Sequence, residues 1–138
     1  MSTNKILISG VVAGVVTFLL GWLLYGMLLS SFFEGQAGSA QGVMRADDAM
    51  VWWALVLGNL LYGVLLAYVF GKWANISTAA TGATAGATLG FLLAASWGLT
   101  YFATSNIMTL TGTIADIVVW TVISAIAGAA AAWMLGRK

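Results

Sequence analysis

Hydrophobic residues along this chain fall into long runs, and polar residues are confined to short stretches between them. No charged residue occurs in 6–33, 49–71, 73–115 or 117–136. A helix that crosses a membrane needs roughly 20 consecutive apolar residues, so the first, second and fourth runs each fit one such helix. The third run is long enough for a helix and a loop, and the polar stretch 104–113 marks that loop.

This pattern predicts an all-α fold, an integral membrane four-helix bundle in which residues 1–138 form a single transmembrane domain. We expect the helices at about 6–30, 50–70, 79–103 and 114–135. Outer loops 31–49 and 104–113 and an inner loop 71–78 connect them. The first apolar stretch is longer than the core of a typical cleaved signal peptide, so we interpret it as a helix.

The amino-acid composition excludes several classes of function for this chain. The chain is 62% hydrophobic and 7% charged, too little charge to cover the surface of a soluble domain. It contains no His and no Cys, the usual sources of a neutral-pH base, a thiolate nucleophile and metal ligands. We therefore predict no enzyme activity, no catalytic residue, no metal site and no cofactor. A net charge of +1 gives no basic patch, so no nucleic-acid partner is expected.

The few basic residues predict an orientation. Four helices place both termini on one side, together with Lys5, Lys72, Arg137 and Lys138, whereas Arg45 falls on the other side. Basic residues collect on the cytoplasmic side of membrane proteins. The expected localisation is a bacterial inner membrane with both termini in the cytoplasm (N-in/C-in).

All four acidic residues fall on the predicted outer side. Asp47 and Asp48 precede the second helix and are expected to favour its start through capping and the helix dipole, and Asp116 is placed in the first turn of the fourth. Glu34 lies in the first outer loop. No ionisable residue is then expected deep in a span, which argues against proton-coupled transport.

Small residues recur four apart in the predicted helices. Lipid offers no hydrophobic drive for helix association, so such stripes indicate close backbone contact. The third helix has the longest stripe, which predicts that it is the central helix. The expected packing positions are Gly10, Gly14, Gly63, Gly82, Gly86, Gly90 and Gly128. The second and fourth helices also end alike, which indicates either a duplicated two-helix hairpin or the chance similarity of membrane sequences.

The stripes are small at the inner end and aromatic at the outer end, which predicts closer packing at the cytoplasmic side. Two interpretations of the outer aromatic residues stay open. They form either an interfacial belt or an outward-facing pocket for a lipid tail or another hydrophobic ligand. The candidate pocket residues are Trp22, Tyr25, Trp97, Tyr101 and Trp120.

Asn59 is the most polar residue deep in a predicted helix, and it lies on the small stripe of the second helix. An amide in hydrocarbon needs a partner, so Asn59 is expected to make an interhelical hydrogen bond, with Ser124 as a candidate partner. A role in binding a ligand or an ion is the alternative.

The glycines and aromatics also carry a family resemblance. The run Asn4-x5-Gly10-x7-Phe18-x2-Gly21-Trp22-x2-Tyr25-Gly26, the Phe32-Phe33 pair, the run Gly82-x3-Gly86-x3-Gly90 and Asp116 follow one another along most of the chain. This arrangement resembles small bacterial membrane proteins grouped as "domain of unknown function 1761". The resemblance implies a small helical membrane protein and carries no activity or site residues over to this chain.

Two functions remain on the sequence alone. The first is a structural or accessory membrane protein that packs as a homo-oligomer, or as a subunit of a larger membrane complex, with membrane lipid as a further partner. The alternative is a small channel or carrier for a neutral or hydrophobic solute. The sequence does not name the partner or the solute.

Overall fold

A computed structural model describes residues 2–137 of the chain. Four helices in this part are long and apolar enough to cross a membrane, and we number them first to fourth: Thr3–Leu28, Trp52–Ala74, Ala79–Thr104 and Leu110–Gly136. A short helix, Ser30–Gly35, and a 3-10 turn, Asp47–Ala49, lie between the first and the second. Within the described residues, the only strand-like pairing is an isolated bridge of Ala37 with Met108, so the all-α prediction is confirmed.

Hydroxyl groups start three of the four long helices. The side chains of Ser2, Thr78 and Thr109 each accept a hydrogen bond from a backbone N–H one turn further on. Such caps satisfy amides that have no partner within the helix. The second helix begins after Val51 without a side-chain cap. The prediction that Asp47 and Asp48 cap this helix is therefore wrong, because they form a separate 3-10 turn before it.

The first and second helices end in π-helical segments, Leu24–Leu28 and Val69–Ala74, in which the hydrogen bonds span five residues. The second helix then stops at Asn75, whose φ of 53° lies in the left-handed region. Asn tolerates this conformation better than most residues, so it suits the end of a helix. The chain turns here and enters the third helix at Ala79.

The fourth helix is the central helix of the bundle. It contacts the other three long helices, whereas the third packs almost wholly against the fourth. The prediction of a central third helix is therefore wrong. The stripe of small residues on the third helix packs against the fourth helix alone. The buried residues of the third helix lie on this single face: Gly82, Gly86 and Gly90. The two consecutive hairpins, first with second and third with fourth, each pack internally, and their origin by duplication stays a prediction.

Glycines bring the third and fourth helices into backbone contact. A Cβ atom on Gly86 would collide with the carbonyl oxygen of Ser124, and one on Gly82 with that of Gly128. In return, a Cβ on Gly128 would collide with the carbonyl oxygen of Gly82. Only glycine permits this approach, so these positions determine how the two helices cross.

The first and second helices meet in the same manner. A Cβ on Gly10 would lie 2.7 Å from Cα of Val64, and one on Gly14 would lie 2.6 Å from Cα of Leu60. A Cβ on Gly63 would collide with the backbone of both glycines. All seven glycines singled out in the sequence thus lie where two helices touch.

The hydrophobic core lies towards the end of the bundle that holds both chain termini. At this end the helices approach closely, as the sequence pattern predicts. Towards the other end, residues 51–58 of the second helix and much of 91–104 of the third are exposed. The buried core consists of Ile6, Ala13, Leu66, Ala67, Phe70, Ala127, Ala131, Ala132 and Leu135.

Candidate functional site

One face of the fourth helix carries the polar side chains that contact other helices. Asp116, Trp120 and Ser124 are spaced four residues apart, so they lie one above another along the helix. Tyr25 of the first helix and Tyr62 of the second reach this face. We call these five residues the polar line. It descends from the end that holds the outer loops towards the core.

Asp116 lies inside the fourth helix and not at its start. The helix begins at Leu110, so Asp116 follows six residues later, roughly 9 Å along the axis at 1.5 Å per residue. The prediction of a first-turn position is wrong because Thr109 caps the helix four residues earlier than we expected. The Asp116 carboxylate is half-buried and accepts a hydrogen bond from the Tyr25 hydroxyl.

Local structure places Tyr25 for this contact. It lies in the π-helical segment that ends the first helix, and such segments are frequent at functional sites. Its ring packs against Phe33 of the short helix, with ring centres 5.1 Å apart. A carboxylate and a tyrosine, both half-buried between two apolar helices, give the outer half of the bundle a group that can hold a proton or a polar solute.

Further down the polar line, the hydroxyls of Tyr62 and Ser124 lie 2.5 Å apart. Trp120 meets the Tyr62 ring edge to face at 5.4 Å. Ser124 is fully buried against the third helix, since a Cβ on Gly90 would collide with its side chain. One hydroxyl thus joins the second and fourth helices at the point where the third also packs.

Asn59 does not make the predicted interhelical hydrogen bond. Its side-chain amide donates to the carbonyl oxygen of Leu55, one turn earlier in its own helix, at 2.8 Å. The amide is therefore bonded within its own helix through one N–H, and Tyr62, one turn further on, makes the interhelical contact of the second helix. Ser124 does make an interhelical contact, with Tyr62 in place of Asn59.

The five aromatic residues proposed as one pocket lie apart. Trp22, Trp97 and Tyr101 are 55%, 68% and 47% exposed on the outside of the bundle, where they suit an interfacial belt. Trp97 and Tyr101 lie four apart on one helix, and their rings contact each other at 5.2 Å. Tyr25 and Trp120 do belong to the polar line. The pocket prediction therefore fails for the three exposed residues.

An open groove adjoins the polar line. It measures about 280 Å³ and lies where the outer half of the second helix meets the fourth. Its lining is largely apolar, and its polar side-chain groups are the Asn59 amide, the Tyr62 hydroxyl and the Trp120 ring N–H, so the groove suits a neutral or hydrophobic molecule. The lining residues are Ala54, Leu55, Gly58, Asn59, Tyr62 and Trp120.

The outer loops pair with each other beside the polar line. The N–H groups of Gly38 and Ala40 donate to the carbonyl oxygens of Ile107 and Asn106, both at 2.9 Å. The Thr109 hydroxyl donates to the side-chain oxygen of Gln36 at 2.6 Å. Thr109 thus caps the fourth helix and ties it to the first outer loop, which holds the polar line in register.

Sequence reasoning missed the Tyr25–Asp116 pair because it placed the start of the fourth helix too late. Thr109 carried a usable signal, since a threonine directly before an apolar run is a good helix cap. Within residues 2–137, no three side chains of His, Cys, Asp or Glu are grouped so that they could hold a metal ion.

Comparisons of the chain with protein-family models, with curated proteins and with solved structures find no match. The resemblance to "domain of unknown function 1761" stays a prediction.

Proposed function

We propose that this chain is a structural or accessory protein of the bacterial inner membrane, built to pack with copies of itself or with a larger membrane complex. The observation that supports this proposal most is the outward surface of the four long helices. It consists largely of big apolar side chains, such as Trp53 at 72% exposed and Leu92 at 58%. Apolar patches of this extent are typical of surfaces that face lipid or a partner. No catalytic step forms part of the proposal.

The distribution of charge supports an orientation with both termini in the cytoplasm. Lys5, Lys72 and Arg137 lie at the end of the bundle that holds both termini, and Arg45 lies in the loop at the other end. Lys138, which the sequence adds to the first group, lies outside the described residues. Basic residues near the ends of membrane helices are retained on the cytoplasmic side.

The second helix offers a contact face for a partner. Ala54 and Gly58 are exposed in its outer half, four residues apart, and a Cβ on Gly58 would meet nothing within 4 Å. Small residues in this spacing let two membrane helices approach closely. We propose a second copy of the chain, or a helix of a larger complex, at this face.

Native mass spectrometry of the protein, extracted in a mild detergent, tests this proposal. We expect an oligomer or a complex with other subunits, and we expect Gly58→Leu to release the monomer. Gly21→Leu is the matched control, because a Cβ on Gly21 also meets nothing within 4 Å and lies on the first helix. A wild-type protein that travels only as a monomer would contradict the proposal.

A second candidate is a small channel or carrier for a neutral or hydrophobic solute. Two observations favour it: the groove beside Asn59 and Tyr62, and a carboxylate inside the fourth helix at Asp116. The sequence argued against proton coupling because no ionisable residue was expected within a span. Asp116 is such a residue, so proton coupling becomes compatible with this candidate.

Solute flux into liposomes that contain the purified protein separates the two candidates. A carrier that uses this region loses its flux in Asn59→Leu, and one that couples to protons loses its pH dependence in Asp116→Asn. Tyr101→Phe is an exposed aromatic control. No flux above protein-free liposomes, for a panel of neutral and hydrophobic solutes, would leave only the structural proposal.

A further inference from the structure

A second groove opens at the end of the bundle that holds the chain termini. It lies between the first and fourth helices and measures about 360 Å³. Its walls combine two basic residues, Lys5 and Arg137, with the apolar side chains of Ile8 and Met134 and with Ser9. None of these residues belongs to the polar line, which lies towards the other end.

Ser9 is the unusual member of this groove. Its residue is fully buried, and its hydroxyl has no hydrogen-bond partner within the described residues. Thr17, two turns further along the same helix, shows the usual solution, since its buried hydroxyl donates to the carbonyl oxygen of Ala13 at 2.9 Å. Leaving a buried hydroxyl unpartnered is unfavourable, so Ser9 has an unused donor beside the groove that it lines.

The charges at this groove favour an anion. The Lys5 ammonium donates to the carbonyl oxygen of Arg137, and an ammonium has three N–H donors, so two remain. The Arg137 guanidinium lies 4.8 Å from the centre of the Trp133 ring, which keeps it near the interface. The acidic residues of the chain fall in the outer loops or in the outer half of the fourth helix, far from this groove: Glu34, Asp47, Asp48 and Asp116.

We propose that this groove binds the phosphate group of an anionic phospholipid. Lys5 and Arg137 contact the phosphate oxygens, and the Ser9 hydroxyl donates to the same headgroup. Ile8 and Met134 line the path along which an acyl chain continues into the membrane. The inference rests on the proposed insertion of the chain in a membrane, because only then does the groove lie at the level of the headgroups.

Lipid-dependent stability of the full chain tests the inference. The protein is reconstituted in vesicles of phosphatidylcholine with or without phosphatidylglycerol, and its thermal unfolding is followed at each lipid ratio. We expect phosphatidylglycerol to raise the midpoint of unfolding. Each substitution removes a charge-assisted hydrogen bond to the phosphate, so Lys5→Gln and Arg137→Gln should each lower the apparent affinity for phosphatidylglycerol roughly tenfold, which moves the response to higher phosphatidylglycerol ratios. Lys72→Gln, a basic residue at the same end outside the groove, is the control and should change it little.

Ser9→Ala gives a second, independent readout. It removes a hydroxyl without a partner, so the stability in pure phosphatidylcholine should stay the same or rise, while the response to phosphatidylglycerol falls. A merely structural serine would lower stability in both lipids. Retention of the phosphatidylglycerol response in Ser9→Ala and in the Lys5→Gln/Arg137→Gln double variant would overturn the inference, as would an equal loss in Lys72→Gln.

Two further arms separate the remaining explanations. Inorganic phosphate, added to protein in phosphatidylcholine vesicles, should not reproduce the stabilisation, and an equal effect would overturn the assignment to a lipid. Flotation of the vesicles shows whether the protein inserts at all. Failure to float contradicts the proposed function, whereas insertion without a preference for phosphatidylglycerol overturns only this inference.

Discussion

At the scale of single residues, the contact of Tyr25 with Asp116 is the most consequential in the bundle. Asp116 is half-buried, and its carboxylate receives its hydrogen bond from a residue 91 positions earlier in the chain. A carboxylate within the apolar part of a membrane is costly unless it has such a partner. The pair therefore fixes how the outer ends of the first and fourth helices meet.

Loss of this hydrogen bond should be measurable. We expect Tyr25→Phe to destabilise the protein by about 0.6–2 kcal/mol, the range found for interhelical hydrogen bonds in membrane proteins, because Asp116 then lacks its donor. Unfolding in mixed detergent micelles measures the change. The matched control is Tyr101→Phe, since Tyr101 is exposed and its ring packs against Trp97 of the same helix. Equal effects of the two substitutions would show that the Tyr25 hydroxyl contributes nothing.

The hydrogen-bond partners of the polar residues within the helices could not be predicted from the sequence. Ser124 is an interhelical contact, but its partner could not be predicted, because nothing in the sequence records that Tyr62 lies opposite. Asn59 was expected to reach another helix, yet its amide donates to the carbonyl oxygen of Leu55 in its own helix. A side chain that can bond within its own helix gives no information about its neighbours.

At the scale of helices, glycine positions determine how closely two elements approach. Gly86 and Gly58 make a matched pair, because both lie within long helices and differ in what surrounds them. A Cβ on Gly86 would collide with the carbonyl oxygen of Ser124, whereas one on Gly58 would meet nothing within 4 Å.

Alanine substitutions at these two positions should therefore have opposite effects on stability. We expect Gly86→Ala to destabilise by about 1–3 kcal/mol, because the third and fourth helices must move apart. In the dissociated monomer, Gly58→Ala should be neutral or stabilise by up to about 1 kcal/mol, since alanine favours the helix over glycine. Unfolding of both variants in a detergent that keeps the protein monomeric measures the difference. A Gly86→Ala protein as stable as the wild type would contradict the proposed backbone contact.

The existence of the helices and their packing faces could be predicted, but their arrangement could not. Charge-free runs locate the helices because the membrane excludes charge, and stripes such as Gly82-Gly86-Gly90 show which face packs. A stripe does not show which helix packs against it. From the longest stripe we expected a central third helix, but the fourth helix contacts all three others.

At the scale of the whole molecule, three of the basic residues and the closely packed core lie at the same end of the bundle. The closely packed core lies at the end with both termini, together with Lys5, Lys72 and Arg137. The opposite end is held by paired outer loops and by the Tyr25–Asp116 contact. This polarity follows from the sequence, because a four-helix topology and the positions of the charges suffice to derive it. The loop pairing does not, since it depends on hydrogen bonds between segments about 70 residues apart.

The central claim is that the chain crosses a membrane four times with both termini in the cytoplasm, and labelling of single cysteines tests it most directly. The sequence contains no Cys, so one introduced thiol is the only target. Ser39→Cys in the first outer loop and Ser77→Cys between the second and third helices are matched conservative changes at exposed positions. In intact bacterial spheroplasts, a membrane-impermeant maleimide should label Ser39→Cys at once and Ser77→Cys only after the membrane is permeabilised. Labelling of both sites in intact spheroplasts, or of Ser77→Cys alone, would contradict the account.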